Sequence, residues 1–320
     1  MALGFISSSE AISTAEPYTA KEPVRSLHVE SAPSFSLPPL PEADDSHLAV
    51  EFFEAPGFER VEVLRPAKAE YRTTDPDAPA MVLIPGLGMD CRGYIKQWPL
   101  GAMVDLHLPQ AMNDGVEGES GLGHFARHVE EYIVRKGLDK RPGGFVIGGS
   151  SMGGAVALNL CLRGRVTPRA LVLMGSFANA AHLPFYQRAL APLAKILPIE
   201  STRRVGRILA GRFENIFGFK GSEVRWMVAE TMVRTSGYFD RAIMALTRQN
   251  QIPAARALRL PTLVTHGTDD GVLPLAAGVE MAQAIPGARF VPVKGGGHGF
   301  FFTHAERVNA EIAALIRQLK

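Results

Sequence analysis

Gly148-Gly149-Ser150-Ser151-Met152-Gly153-Gly154 follows the apolar run Gly144-Phe145-Val146-Ile147 and leads into Ala155 to Arg163, which reads as a helix. Strand, sharp turn and helix in that order put one serine hydroxyl at the tip of a tight corner, the placement a serine nucleophile needs. The corner has no room for large side chains two residues to either side, hence the spacing G-x-S-x-G. Gly149-Ser150-Ser151-Met152-Gly153 fits it around Ser151, whereas centring on Ser150 would put Met152 where a glycine is required. The spacing therefore selects Ser151.

Outward from this corner the chain alternates strand and helix patterns. Short alternating β runs at 48–53 and 61–64 flank the turn Ala55-Pro56-Gly57. Buried-type strands are expected at 81–84, 102–108, 145–147, 170–174, 262–265 and 289–293, and helices at 125–135, 152–163, 275–284 and 304–319. Such alternation predicts a mostly parallel, doubly wound α/β sheet with helices on both faces. The core is assigned to residues 47–176 and 251–320. Between them, 177–250 carries no strand signal and is too long for a crossover. It reads as an inserted helical cap with eleven basic and five acidic residues. Residues 1–46 read as a disordered tail rich in Ser, Pro, Ala and Glu, or else an arm docked on the domain.

Bulk composition narrows the function classes. The 320 residues are 46% hydrophobic and 21% charged, ordinary for a globular protein. A net charge of +2 argues against general attraction to nucleic acid or anionic membrane. No stretch approaches the roughly 20 apolar residues of a membrane helix, and Met1–Ser9 lacks the form of a signal peptide. A cytoplasmic monomer or homodimer is the expectation. The two cysteines, Cys91 and Cys161, form no disulfide framework and fall in no metal-ligand spacing.

A serine at neutral pH needs a base, and the base needs an orienting group. In a doubly wound sheet both come from loops at the C-terminal strand ends. Two such loops carry titratable tips: His266-Gly267-Thr268-Asp269-Asp270-Gly271-Val272-Leu273-Pro274 and Lys294-Gly295-Gly296-Gly297-His298-Gly299-Phe300. His298, flanked by glycines after the last strand, is the candidate base. His304 opens the C-terminal helix and ranks behind it. His266 reads as structural. His124 and His128, four residues apart on a helix, lack a third metal ligand and read as a solvated face.

The order Ser, Asp, His and these loop contexts resemble the α/β-hydrolase superfamily, over about residues 50–320. The resemblance implies an α/β-hydrolase fold in the serine esterase and lipase-like branch. It implies Asp270 rather than Asp269 as the orienting acid, on its spacing from Gly267 and to Pro274. It also implies an oxyanion hole built from the amides of Leu87, in Pro85-Gly86-Leu87-Gly88, and Met152. The implied activity is cleavage of a carboxylic ester, through an acyl-enzyme, with no metal or organic cofactor. Aromatics in the cap (Phe185, Tyr186, Phe213, Phe217, Trp226, Tyr238) suggest a small hydrophobic ester as partner, or simply a cap core. Carbon–carbon bond hydrolase, thioesterase or acyltransferase chemistry would use the same triad, and a ligand-binding receptor of the same fold could keep it without turnover.

Overall fold

Ala80–Ile84 is five apolar residues without a polar alternate, the pattern of a strand covered on both faces. In the computed structural model, which describes residues 36–42, 45–56, 58–110, 121–183 and 239–319, it is buried along its whole length near the middle of an eight-stranded sheet. The strands are β1 (Leu48–Ala55), β2 (Phe58–Pro66), β3 (Ala80–Ile84), β4 (Asp105–Pro109), β5 (Phe145–Ser150), β6 (Ala170–Met174), β7 (Thr262–Gly267) and β8 (Arg289–Val293). Their spatial order is β1-β2-β4-β3-β5-β6-β7-β8. β1 pairs antiparallel with β2, and β2 antiparallel with β4, whereas β4, β3 and β5 to β8 run parallel.

Alternate residues of each strand feed two apolar layers, as the period of two requires. Ala80, Val82 and Ile84 of β3, with Phe145 and Ile147 of β5, pack toward helices α1 (Leu122–Lys136), α2 (Met152–Arg163) and α5 (Leu275–Ala284). Met81, Leu83 and Val146 face the other way, onto a 3₁₀ stretch, Cys91–Ala102, and the C-terminal helices α6 (Phe300–Thr303) and α7 (Ala305–Arg317). Helices α3 (Phe239–Thr247) and α4 (Ile252–Ala255) lead back from the insertion into β7.

Three details differ from the sequence expectations. β4 starts at Asp105 rather than at Ala102, because Ala102 ends the 3₁₀ stretch, for which no element was expected. Gly93, Pro99 and Gly101 spoil any helical period there, and a side chain at Gly101 would run into the Tyr71 carbonyl. His128 does not lie on a solvated face: it is 3% exposed, and burial, with the nearby His124 charge, pushes its pKa down to about 4. α1 is covered by α2 on one side and touched by α3 on another, which leaves little of it open. Within the N-terminal arm, the described residues 36–42 lie against the domain. Leu37 packs on the second layer, the Tyr71 hydroxyl donates to Pro39 O (2.8 Å), and Lys96 Nζ donates to Pro41 O (2.9 Å).

The ends of the insertion meet in an isolated bridge between Asn179 and Asn250. Residues 184–238, and with them all six cap aromatics singled out above, lie outside the described residues. Among the described residues no helix is long and apolar enough to cross a membrane.

Candidate active site

β5 ends at Ser150 and α2 begins at Met152, so Ser151 alone makes the corner. It does so at φ 51°, the one positive φ of a non-glycine residue among the described residues. A backbone this strained costs on the order of 1–3 kcal/mol and persists only where its surroundings impose it. The surroundings here are close-packed: a side chain at Gly153 would run into the Ile84 carbonyl, and one at Gly149 into the Gly153 backbone. This is the steric reason for the two glycines that flank the serine. Ser151 N–H donates to Met174 O (2.9 Å), and its carbonyl accepts from the Ser176 hydroxyl (2.7 Å). Ser151 holds the N-cap position of α2, yet its side chain makes no cap hydrogen bond.

Asp270 and His298, 28 residues apart, meet beyond the ends of β7 and β8. His298 Nδ1 lies 2.7 Å from Asp270 Oδ2. The other carboxylate oxygen, Oδ1, accepts the N–H groups of Val272 (2.8 Å) and Leu273 (2.9 Å). Burial by itself would raise this carboxyl. Hydrogen bonds from His266 and His298, the His298 charge and the Leu273 N–H outweigh it and hold Asp270 well below the usual carboxylate range. An ionised carboxylate only accepts, so Nδ1 of His298 carries the proton, and in the neutral ring Nε2 is the acceptor. Asp269 faces elsewhere, taking the Thr268 hydroxyl (2.7 Å).

The turn after β6 touches both the serine corner and the Asp–His pair. Gly175 abuts them so closely that a Cβ there would sit 3.6 Å from Asp270 Oδ2 and 3.8 Å from His298 Nδ1. The next residue, Ser176, holds the Ser151 carbonyl. On the opposite side is the loop after β3, where a Cβ on Gly86 would lie 3.3 Å from Ser151 Cβ. Leu87 follows Gly86 directly, and Met152 opens α2 immediately after the serine. A helix N-terminus also favours negative charge.

His304 Nδ1 lies 2.9 Å from the Thr303 hydroxyl. Cys91 is fully buried and its thiol donates to Pro109 O (3.3 Å); burial first, then the Asp90 and Glu62 charges, keep it protonated. His266 is structural in a specific sense that sequence reading did not give. It is fully buried, its Nε2 lies 3.1 Å from Leu273 O and 3.4 Å from Asp270 Oδ2, and it braces the acid from behind. Ser176 and Tyr94, which hold the corner, were not singled out from the sequence. Each reaches it from a distant part of the chain with no local motif to mark it.

Residues 81–311 match the family model described as the alpha/beta hydrolase family. The chain is 27% identical over 288 residues to the polyketide synthase ThaQ of Burkholderia thailandensis, which covers 84% of this chain and 13% of that protein. It is 33% identical over 192 residues to the 2-hydroxymuconate semialdehyde hydrolase of Pseudomonas putida, covering 57% of this chain and 65% of the relative. The chain thus spans less than two thirds of the length of either relative. Among solved structures, an esterase from Rhodococcus superposes with a TM-score of 0.66 at 20% identity, covering 86% of this chain and all of that one. At that identity the likeness is one of fold alone. With the family model spanning most of the sheet, the serine corner and both candidate loops, the chain belongs to the alpha/beta hydrolase family.

Proposed function

We propose that this chain is a serine hydrolase that cleaves carboxylic esters through an acyl-enzyme. The observation that carries the reading is the 2.7 Å contact between His298 Nδ1 and an ionised Asp270, at a turn that also holds the strained corner of Ser151. His298 Nε2 takes the Ser151 proton as Oγ attacks the ester carbonyl. Asp270 keeps the ring in that tautomer and stabilises the imidazolium as it forms. The amides of Leu87 and Met152 take the oxyanion, each worth on the order of 3 kcal/mol. The tetrahedral adduct collapses, the C–O bond breaks, and the alcohol leaves with the proton from His298. Water then gives a proton to His298, attacks the acyl carbon and frees the acid, and Ser151 recovers its proton.

The test is labelling by a fluorophosphonate probe together with turnover of p-nitrophenyl esters from acetate to decanoate. Wild type is expected to label and turn over. Ser151→Ala is expected to lose labelling and at least about 10⁴-fold in kcat with an unchanged fold. Absence of labelling in folded wild type would overturn the reading and favour a binding protein.

A second reading, a thioester as substrate, draws on the relative that covers most of this chain, which is named a polyketide synthase. The triad would serve a thioester unchanged, since only the leaving group differs. Matched acyl thioesters and oxoesters, compared by kcat/KM, separate the two.

A further inference from the structure

The parallel ladder between β3 and β5 can be followed bond by bond. Ala80 N–H donates to Gly144 O (2.9 Å), and Ala80 stands opposite Phe145, Val82 opposite Ile147 and Ile84 opposite Gly149. A parallel ladder repeats every two residues. The pattern therefore runs on to a bond from Ser150 N–H to Ile84 O, the rung that the pairing of Ile84 with Gly149 requires. At that rung a side chain joins the ladder. Ser150 N–H also donates to the Tyr94 hydroxyl (2.8 Å), and that hydroxyl donates to Ile84 O (2.5 Å). The same oxygen lies 3.0 Å from Ser150 Oγ. Tyr94 is fully buried in the 3₁₀ stretch, and burial raises its pKa, so the hydroxyl stays protonated.

The position of this bridge matters more than its burial. Ile84 is followed by Pro85, Gly86 and Leu87, the loop that carries one candidate oxyanion amide, and Ser150 is followed by Ser151 and the other. One hydroxyl thus spaces the two strand ends from which nucleophile and oxyanion donors spring. The Tyr94 ring also packs on Phe301, 5.5 Å between centroids, three residues beyond His298. From the same stretch Gln97 donates to Phe301 O (2.6 Å), so the base's segment is fastened to the same support.

We propose that Tyr94 is a positioning residue, a hydroxyl bridge between the ends of β3 and β5 that sets the separation between Ser151 and the Leu87 amide. The inference rests on the ester-hydrolase reading for its kinetic consequence but not for its geometry. Tyr94→Phe keeps the ring and removes the bridge, so the ends of β3 and β5 are expected to shift relative to each other. The oxyanion hole then no longer matches its ligand, and kcat falls about tenfold to a hundredfold. The ground-state carbonyl does not use that geometry, so KM moves less than about threefold. Affinity for a trifluoromethyl ketone, which forms a tetrahedral adduct on the serine, falls in step with kcat.

p-Aminophenylalanine at position 94 can still donate and accept, and should restore most of both quantities. Unchanged kcat and ketone affinity in folded Tyr94→Phe would overturn the proposal. So would a loss that the amine does not rescue, which would make the defect one of packing. A Tyr94→Phe protein that fails to fold while the amine variant folds would also overturn it, by making the hydroxyl a need of the sheet rather than of the site. Wild type inert to the probe is the separate failure of the hydrolase reading. Crystal structures of wild type and Tyr94→Phe still decide the bridge in that case, by whether the ends of β3 and β5 shift relative to each other.

Discussion

A carboxylate–histidine pair occurs at each end of this sheet, and the two pairs are built to opposite effect. At the C-terminal strand ends Asp270 meets His298 Nδ1 at 2.7 Å. At the opposite end Asp105, the first residue of β4, lies 3.0 Å from His107 Nε2. Both carboxyls are held well below the ordinary range although burial opposes it. The difference lies in what else touches the carboxylate. Arg65 Nη2 (2.5 Å) and Arg141 Nη1 (2.7 Å) already neutralise Asp105. Among the described residues no arginine or lysine pairs with Asp270, whose partners are two imidazoles and two backbone amides. A proton arriving on His298 therefore finds an uncompensated anion, the condition a general base needs. A proton on His107 would face burial and the Arg65 charge, which together push its pKa down despite the bond to Asp105. The same two side chains leave a carboxylate without a cationic partner in one place, among the described residues, and make a structural pin in the other.

Replacing each carboxylate in turn should break the symmetry. The largest effect is expected from Asp270→Asn: kcat falls about 10⁴-fold, as in other triads where the orienting acid is lost. Steady-state kinetics on protein with an unchanged circular dichroism spectrum measures it. A loss under about tenfold would mean that the buried His266 and the loop amides, not the carboxylate, orient His298.

Asp105→Asn should leave kcat per folded molecule unchanged and remove about 2–3 kcal/mol of stability, because it strands two partly buried guanidinium groups. Urea unfolding at pH 7 reads this directly. The same carboxyl has a pH signature. Its folded pKa lies below the unfolded value of about 3.9, so its contribution is complete above roughly pH 5 and is lost as pH falls toward the folded value. The asparagine variant should lack that part of the acid destabilisation. An equal acid slope in both proteins would show that Asp105 is not the group responsible.

The smallest effect is a titration. Arg65→Met removes a charge that depresses His107 while leaving Asp105 beside it, so the His107 ring should titrate at a higher pH than in wild type. Proton NMR of the ring follows this. No upward movement would make burial alone the cause of its neutrality and would weaken the contrast between the two ends.

Much of the candidate site was legible before any coordinates, and the reason is local. Gly149 and Gly153 bracket Ser151 because a tight corner excludes side chains within five residues of chain. The loops holding Asp270 and His298 announced themselves as glycine-containing turns after apolar strands. Residues 81–84 and 170–174 read as strands because both runs are unbrokenly apolar. The 3₁₀ stretch at Cys91–Ala102 was invisible because two glycines and a proline leave no period to detect. His128 was misread because the amphipathic pattern of one helix does not show how many neighbours will cover it.

The roles of Tyr94, His266 and Asp105 could not be read locally. Tyr94 reaches Ser150 across 56 residues, and Arg65 reaches Asp105 across 40. Periodicity and turn sterics act within a window of a few residues, so the chain alone sufficed for the strand–helix alternation, the strained serine corner and the types of its candidate partners. Which polar groups face one another depends on which strands become neighbours, a property of the assembled sheet. That assembly made one Asp–His pair a candidate proton relay and the other a pin, and it set a tyrosine hydroxyl across the facing ends of β3 and β5.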